Sequence, residues 1–137
     1  MSGLVLKLRP AERIMINGAV IENGDRRTRL NILTPRANVL RLRDAIHPEE
    51  AKTPVRRICY TAQMVLAGEA DPGHGRHQLS KGLAQLAQVF DDPESISILA
   101  EASGFLAEKN DYQVLKTLRM LLPVEKKLME VAQCTNR

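Results

Sequence analysis

Seven arginines lie between positions 13 and 43, and their chemistry is the easiest in this chain to name. A guanidinium is always charged, and its planar fork of N–H donors matches a phosphate group. Several of these arginines alternate with apolar residues, which predicts that they project from one face of a β-sheet. We therefore interpret this stretch as a candidate surface for a polyanion. Its members are Arg13, Arg26, Arg27, Arg29, Arg36, Arg41 and Arg43.

The distribution of charge supports this interpretation more than the net charge of +4 does. Residues 1–57 contain 12 Lys and Arg against 6 Asp and Glu, a balance of +6, whereas residues 58–137 contain 8 against 10, a balance of −2. An excess of cations at one end of a chain indicates an anionic partner there, with nucleic acid first among the candidates. The alternative is a basic face that is only solvated.

The aromatic residues limit how RNA could be bound. Many RNA modules stack bases on aromatic side chains, but this chain has no Trp, and its four aromatics follow the basic stretch: Tyr60, Phe90, Phe105 and Tyr112. RNA contact would then depend on Arg–phosphate pairing, and affinity should fall as salt rises. A protein-binding module is equally open, because the helices are rich in Leu, Ile and Met. Self-association would also cover the edges of a small sheet.

Catalytic and metal-binding chemistry find little support. There is no GxSxG elbow and no Walker-type phosphate loop. His74 and His77 could share one face of a helix, but no cysteine or carboxylate at a suitable spacing completes a metal site. The acidic pairs Glu49-Glu50 and Asp91-Asp92 stand near expected helix starts, where carboxylates offset the helix dipole. We expect no enzymatic activity, no metal and no cofactor.

The cysteines and the hydropathy indicate the compartment. Cys59 falls on the apolar stripe of an expected helix and Cys134 in a polar tail, so the two do not form a disulfide framework. A reduced, cytoplasmic protein fits this pattern. No run of about 18 apolar residues exists, so we expect no membrane span, and the N-terminus lacks the features of a signal peptide.

Alternation predicts about five short strands in the first third of the chain. The turn dipeptides Asn17-Gly18 and Asn23-Gly24 favour tight hairpins, because Asn and Gly tolerate the positive φ that such turns need. In the last strand we expect Leu42 to point inward and Arg43 outward. The strands are expected at residues 3–8, 13–16, 19–22, 27–34 and 39–43.

The hydrophobic period becomes helical after residue 46. Helix starts are expected at Thr53-Pro54, Asp71-Pro72, Asp92-Pro93 and Asn110-Asp111, where a capping side chain precedes the first turn. A last helix should follow Pro123. Ile96, Leu99, Phe105 and Leu106 are expected to form the apolar stripe of the third helix.

These elements predict an α+β fold. A small N-terminal antiparallel β-sheet or barrel of about five strands is followed by a C-terminal bundle of four to five helices. We divide the chain into a basic β subdomain at residues 1–46 and a helical subdomain at residues 47–137. The two are expected to pack as one compact unit.

Several blocks, taken in order, resemble the FlbT family of flagellar biosynthesis regulators of alphaproteobacteria. They are LVLKL, INGAVIENGDRR, LNILTP, NVLRLRDAIHPEEA, TPVRRICYTAQMVLAGEADP, QLAQVF and YQVLKTLRMLLP. The resemblance runs from Gly3 to Pro123. It departs at Gly73-His74-Gly75, where the first turn of the second helix is expected to be weak.

The resemblance implies a function that spacing alone does not show. Proteins like these act after transcription: they associate with the 5′ untranslated region of flagellin mRNA and affect its translation or decay. In some relatives the effect is positive, so the resemblance leaves the sign of regulation open, together with the RNA sequence recognised. It implies flagellin and a second small regulator, FlaF, as protein partners. The alternative is therefore an adaptor or chaperone-like module that acts on flagellin or FlaF.

Overall fold

Five strands and five helices follow one another along the part of the chain that the structure describes. A computed structural model describes residues 4–17, 19–35 and 37–135; for Asp44 and residues 133–135 it describes the main chain only. The α+β prediction is confirmed. The elements are β1 (Leu4–Leu8), β2 (Arg13–Ile16), β3 (Ala19–Glu22), β4 (Thr28–Ile32), β5 (Val39–Arg41), α1 (Pro54–Leu66), α2 (Pro72–Val89), α3 (Pro93–Ala107), α4 (Asp111–Arg119) and α5 (Leu122–Thr135).

The strands form two antiparallel sheets, and the chain passes back and forth between them. β1 pairs with β4, and the second sheet has the order β3-β2-β5. Asn17, with φ of 50°, follows β2 in the β2–β3 hairpin, as its dipeptide predicts; Gly18 lies outside the described residues.

The tight hairpin expected at Asn23-Gly24 is wrong. β3 and β4 belong to different sheets, and neither Asn23 nor Gly24 has a positive φ. The segment is a crossover from one sheet to the other. Asn23 uses its side chain instead, because its Nδ2 donates to the carbonyl oxygens of Arg9 (2.7 Å) and Arg26 (2.9 Å).

The sheet β3-β2-β5 is the middle layer of the molecule. One face packs Ile14 and Val39 against the β1–β4 sheet, in a small core that includes Leu6 and Leu8. The other face places Met15 and Leu40 against the helices. Both faces of β2 are therefore covered, although the alternation had suggested one apolar and one arginine face.

The last strand is shorter than expected. β5 ends at Arg41, and Leu42–Asp44 form a 3-10 turn, so Arg43 does not project from a strand. Both Val39 and Leu40 are buried because the strand lies between the two cores. The helical stripe expected in α3 is also partly wrong: Ile96 is 49% exposed, and Ile98 is buried instead.

The helices begin where their caps predicted. Thr53, Asp71, Asp92 and Asn110 each accept a hydrogen bond from a main-chain N–H in the first turn. The expected weakness at the start of α2 does not prevent a helix from Pro72 onward. A Cβ at Gly75 would clash with Cγ2 of Val65, so glycine permits the close approach of α1 and α2.

A buried amide fixes the segment that connects the sheets to the helices. Gln63 of α1 accepts a hydrogen bond from the Ile46 N–H (2.8 Å) and donates one to the Ile46 carbonyl (2.9 Å). Tyr112 of α4 packs against both hydrophobic cores. None of the described helices has the length and apolar content to cross a bilayer.

Candidate nucleic-acid interface

A cleft lined by basic residues runs along the ends of three strands. It has a volume of about 570 Å³ and lies where the end of β1, the start of β4 and the 3-10 turn after β5 meet. Six of its eight lining residues are cationic and none is acidic. The lining residues are Lys7, Leu8, Arg9, Arg27, Thr28, Arg29, Arg41 and Arg43.

Two of these cations face each other across the β1–β4 ladder. The strand register places Lys7 directly opposite Arg29, and both residues are exposed. Like charges at directly opposed positions destabilise a sheet. Neither they nor Arg27 form an ion pair with a described residue. A bound anion would remove this repulsion, so the arrangement suits a ligand with several negative charges.

A single buried carboxylate holds the other side of the cleft. Glu12 accepts a hydrogen bond from the Arg9 N–H at 2.9 Å, and its Oε2 lies 3.1 Å from Nη1 of Arg41 and 3.6 Å from Nε of Arg43. The hydrogen bond from Arg9 and the charges of these three arginines lower the pKa of Glu12, although burial acts in the opposite direction. Glu12 thus stays ionised and fixes the arginines in place.

Arg41 joins the two sheets. Its Nη2 donates to the Lys7 carbonyl of β1 at 3.1 Å, while its Nη1 contacts Glu12. Because Arg41 belongs to β5 and Lys7 to β1, this guanidinium bridges the layers at the wall of the cleft. Arg41 therefore positions the cleft, and the less restrained Arg27 and Arg29 are better placed to contact a ligand.

The turn before Glu12 is stabilised by the main chain. Ala11 adopts a φ of 59°, which is unusual for a residue with a Cβ. Its N–H donates to the Gly24 carbonyl at 2.8 Å, and the Asn23 N–H donates to the Glu12 carbonyl at the same distance. These bonds connect the Glu12 turn to the crossover that carries Arg26 and Arg27.

The structure brings together four of the seven arginines chosen from the sequence. Arg27, Arg29, Arg41 and Arg43 line the cleft. Arg13 does not: it is exposed on β2 and pairs with Glu22 at 2.9 Å.

Two further arginines from the sequence analysis do not line the cleft. Arg26 lies in the crossover outside it, and Arg36 lies outside the described residues. The sequence analysis missed Lys7, Arg9 and Glu12. Alternation did place Lys7 on the polar side of β1, but only the β1–β4 pairing shows that it faces Arg29.

The described residues offer no cluster of three or more His, Cys, Asp or Glu that could hold a metal ion. His74 and His77 are exposed in the first turns of α2, and Nε2 of His74 lies 3.2 Å from Nε2 of Gln78. Cys59 is fully buried, and burial raises the pKa of its thiol to about 12. It is therefore not a reactive nucleophile at neutral pH.

The similarity of this chain to known proteins extends over both the strands around the cleft and the helices. A family model described as flagellar protein FlbT matches residues 4–129. The chain belongs to the FlbT family. The match confirms the resemblance seen in the sequence and extends it beyond Pro123, into α5.

Curated members of the FlbT family are similar over most of their length. A probable flagellum biosynthesis repressor protein FlbT from a Caulobacter species is 33% identical over 122 residues, which is 89% of this chain and 92% of the relative. The flagellum biosynthesis repressor protein FlbT of Caulobacter vibrioides is 30% identical over 89% of this chain and 86% of its own. A probable repressor of the same name from Mesorhizobium japonicum is 30% identical over 92% and 84%. No solved structure matches the chain.

Proposed function

We propose that this chain is a post-transcriptional regulator of flagellin synthesis, and that its basic cleft binds the 5′ untranslated region of flagellin mRNA. Binding there affects translation or decay of the transcript. The protein works in the cytoplasm, without enzymatic activity and without a cofactor. Relatives that carry the name flagellum biosynthesis repressor support the regulatory part of this proposal. The observation that carries the RNA part is the cleft with six cations and no acidic lining residue.

The chemistry of the cleft favours the RNA backbone over the bases. Its lining contains no aromatic side chain on which a base could stack. Arg27 and Arg29 are exposed, and guanidinium groups form charge-assisted hydrogen bonds with phosphate oxygens. Selection among transcripts then comes from the folded shape of the leader, which sets where its phosphates lie.

Charge reversal in the cleft tests the proposal. Arg27→Glu combined with Arg29→Glu should weaken binding of a fluorescent flagellin leader RNA by about a hundredfold or more, since two hydrogen bonds to charged groups are lost and each contributes about 1.5–3 kcal/mol. Fluorescence anisotropy at several salt concentrations measures the affinity. For the native chain, the logarithm of the binding constant should fall linearly with the logarithm of the salt concentration.

A matched control separates the cleft from net charge. Lys81→Glu combined with Lys116→Glu makes the same charge change on exposed positions of α2 and α4. This variant should bind RNA within a few-fold of the native chain. An equal loss of affinity in both variants would assign binding to overall charge, and unchanged affinity in the cleft variant would reject the cleft.

A groove between α2 and α3 favours a second candidate function, that of an adaptor for flagellin or FlaF. The groove has a volume of about 880 Å³ and is lined largely by small side chains, including Ala84, Ala87, Ala100 and Ser103. Exposed Ile96 contributes an apolar edge. A groove between two helices with small side chains along it can accept one amphipathic helix of a partner.

Filling the groove discriminates between the two functions. Ala84→Arg combined with Ala100→Arg should abolish capture of purified flagellin or FlaF in the presence of nuclease, if the adaptor function is correct. Leader RNA should still bind this variant. If the native chain captures neither protein, the adaptor function is rejected and the RNA function remains.

A further inference from the structure

Strand β3 is an exposed edge of the middle sheet. All four of its residues are exposed, with Val20 at 58% and Ile21 at 39%. An edge strand presents unpaired N–H and C=O groups that can pair with another chain. Proteins usually protect such edges with lysine, proline or a covering element, and β3 contains neither residue type.

The other edge strands of the two sheets are buried or carry a cation. Val39 and Leu40 of β5 are buried between the cores. The β1–β4 sheet carries Lys7 and Arg29 on its exposed surface, where their charge opposes association with a like surface. β3 differs from these strands in that all four of its residues are exposed and none is a cation; its one charged residue is Glu22.

Two hydrogen bonds determine which main-chain groups of β3 are unpaired. The Asn17 N–H donates to Asn38, on the β5 side of β2, whereas the Glu12 carbonyl accepts from Asn23, on the β3 side. Because antiparallel residues bond alternately to the left and to the right, Ile14 and Ile16 bond to β3. Their partners are Ile21 and Ala19.

The remaining two residues of β3, Val20 and Glu22, consequently direct their N–H and C=O groups away from the sheet. Neither has a main-chain partner outside the ladder among the described residues. These four groups form a short template with the correct alternation for one more antiparallel strand.

We propose that β3 pairs antiparallel with β3 of a second copy of this chain. The two middle sheets then form one continuous six-stranded sheet with a two-fold axis at its centre. A two-fold interface is self-complementary, so a single exposed strand is sufficient for a closed dimer. Pairing would satisfy the outward groups of Val20 and Glu22 in both copies with four hydrogen bonds.

The alternation fixes the register. Outward residues must oppose outward residues, so Val20 of one copy faces Glu22 of the other, and Ile21 faces Ile21. Because Ile14 opposes Ile21 within each copy, four isoleucines would lie in one row across the dimer. Ile14 is fully buried, and pairing would extend the apolar row of the small core across the two-fold axis.

A register shifted by two positions also obeys the alternation, and it would place Val20 opposite Val20. It pairs Glu22 with position 18, which lies between the two strands in the sequence. The register centred on Ile21 uses only residues of β3 itself, and the structure favours it for that reason. The Arg13–Glu22 ion pair remains possible on the other face of the sheet.

Solution mass tests the dimer. Sedimentation of the full chain over a wide range of concentration should give a species of twice the 15.3 kDa chain mass. Ile21→Lys should weaken dimerisation by about tenfold or more, because it replaces an apolar pair by like charges directly opposite each other. Val89→Lys, at a 67% exposed position of α2, should leave the mass unchanged. A native chain that remains monomeric throughout would overturn the proposal.

Cross-linking tests the register and does not depend on the lysine variant folding. Opposed residues of a non-hydrogen-bonded pair have Cα atoms about 4.5 Å apart, within the range that a disulfide needs. In a background with Cys134→Ser and the buried Cys59 retained, Ile21→Cys should form a disulfide-linked dimer under mild oxidation. Faster linking of Val20→Cys would overturn this register, and linking of neither would overturn the edge pairing.

Discussion

Arginines in the two halves of this molecule have different surroundings. In the helical half, Arg76 of α2 contacts Asp111 of α4 with two hydrogen bonds, Nε to Oδ1 at 3.0 Å and Nη2 to Oδ2 at 2.7 Å. Its side chain is 25% exposed and that of Asp111 only 9%. In the sheet half, Arg27 and Arg29 are exposed and line a cleft without an ion pair among the described residues.

This difference shows that an arginine acquires its role from the nearest carboxylate and not from its position in a basic stretch. Arg76 fixes one helix against another, and the hydrogen bonds that it donates to Asp111 raise its pKa further. Arg41 is intermediate, because Glu12 restrains it at the wall of the cleft. Only cations with no such partner are available to a ligand, which is why the RNA proposal depends on Arg27 and Arg29.

Removing the carboxylate from the helical pair should have the largest effect on folding. Asp111→Ala leaves the Arg76 guanidinium partly buried without its partner, and we expect a loss of about 2–3 kcal/mol in the free energy of unfolding, below the full range for a completely buried pair. Urea denaturation monitored by circular dichroism measures this loss.

Asp91→Ala is the control for that measurement, because Asp91 is exposed and caps no helix. It should change the free energy of unfolding by no more than about 0.5 kcal/mol. If Asp111→Ala were equally mild, the Arg76 pair would not differ in kind from a surface contact.

Glu12→Gln should lower the free energy of unfolding by an intermediate amount, and it should strengthen binding of the leader RNA. The substitution removes the charge that restrains Arg41 and Arg43, at a cost of about 1–2 kcal/mol in unfolding free energy. It also removes the anion behind the cleft, so binding of the leader RNA should strengthen. Weaker RNA binding by a folded Glu12→Gln protein would contradict the view that Glu12 withholds Arg41 and Arg43 from a ligand.

The same carboxylate gives a dependence on pH. Because the pKa of Glu12 is lower in the folded chain than its ordinary value of 4.5, its contribution to stability is fully present above that value and is lost as the pH falls through the folded pKa. The difference in unfolding free energy between the native chain and Glu12→Gln should therefore be constant near neutral pH and diminish under acidic conditions. A difference that grows on acidification would reverse this assignment.

Glu22→Gln should have the smallest effect. It breaks the pair between Glu22 and Arg13, whose side chains are 56% and 65% exposed. Exposed ion pairs contribute about 0–1 kcal/mol, so thermal unfolding should hardly change. A loss as large as that of Glu12→Gln would show that burial does not determine how much an ion pair contributes to the stability of this chain.

Local features of the fold were predictable from the sequence. The caps Thr53, Asp71, Asp92 and Asn110 all begin helices, because a cap acts on main-chain groups within three residues of itself. The Asn17 hairpin is local in the same sense. The hairpin predicted at Asn23-Gly24 was wrong because strand pairing is not local. β4 pairs with β1, although two other strands lie between them in the sequence.

The cleft was only partly predictable for the same reason. Alternation selected Arg27 and Arg29, and the structure places both in the cleft. Lys7 enters it through a pairing partner more than twenty residues away, a contact that no local pattern reports. The role of Glu12 was not predictable, because one carboxylate in a basic stretch looks like any exposed acid in the sequence. Its burial depends on the turn at Ala11.

The middle position of β2 has a consequence for how reliably the strands align. A shift of one residue would send Ile14 toward the helices and Met15 toward the β1–β4 sheet, so both interiors would receive a side chain of the wrong shape. Misalignment is therefore opposed from two directions at once. Because the register of β2 is fixed in this way, β3 can leave its outer edge unpaired while the β2–β3 hairpin keeps its register.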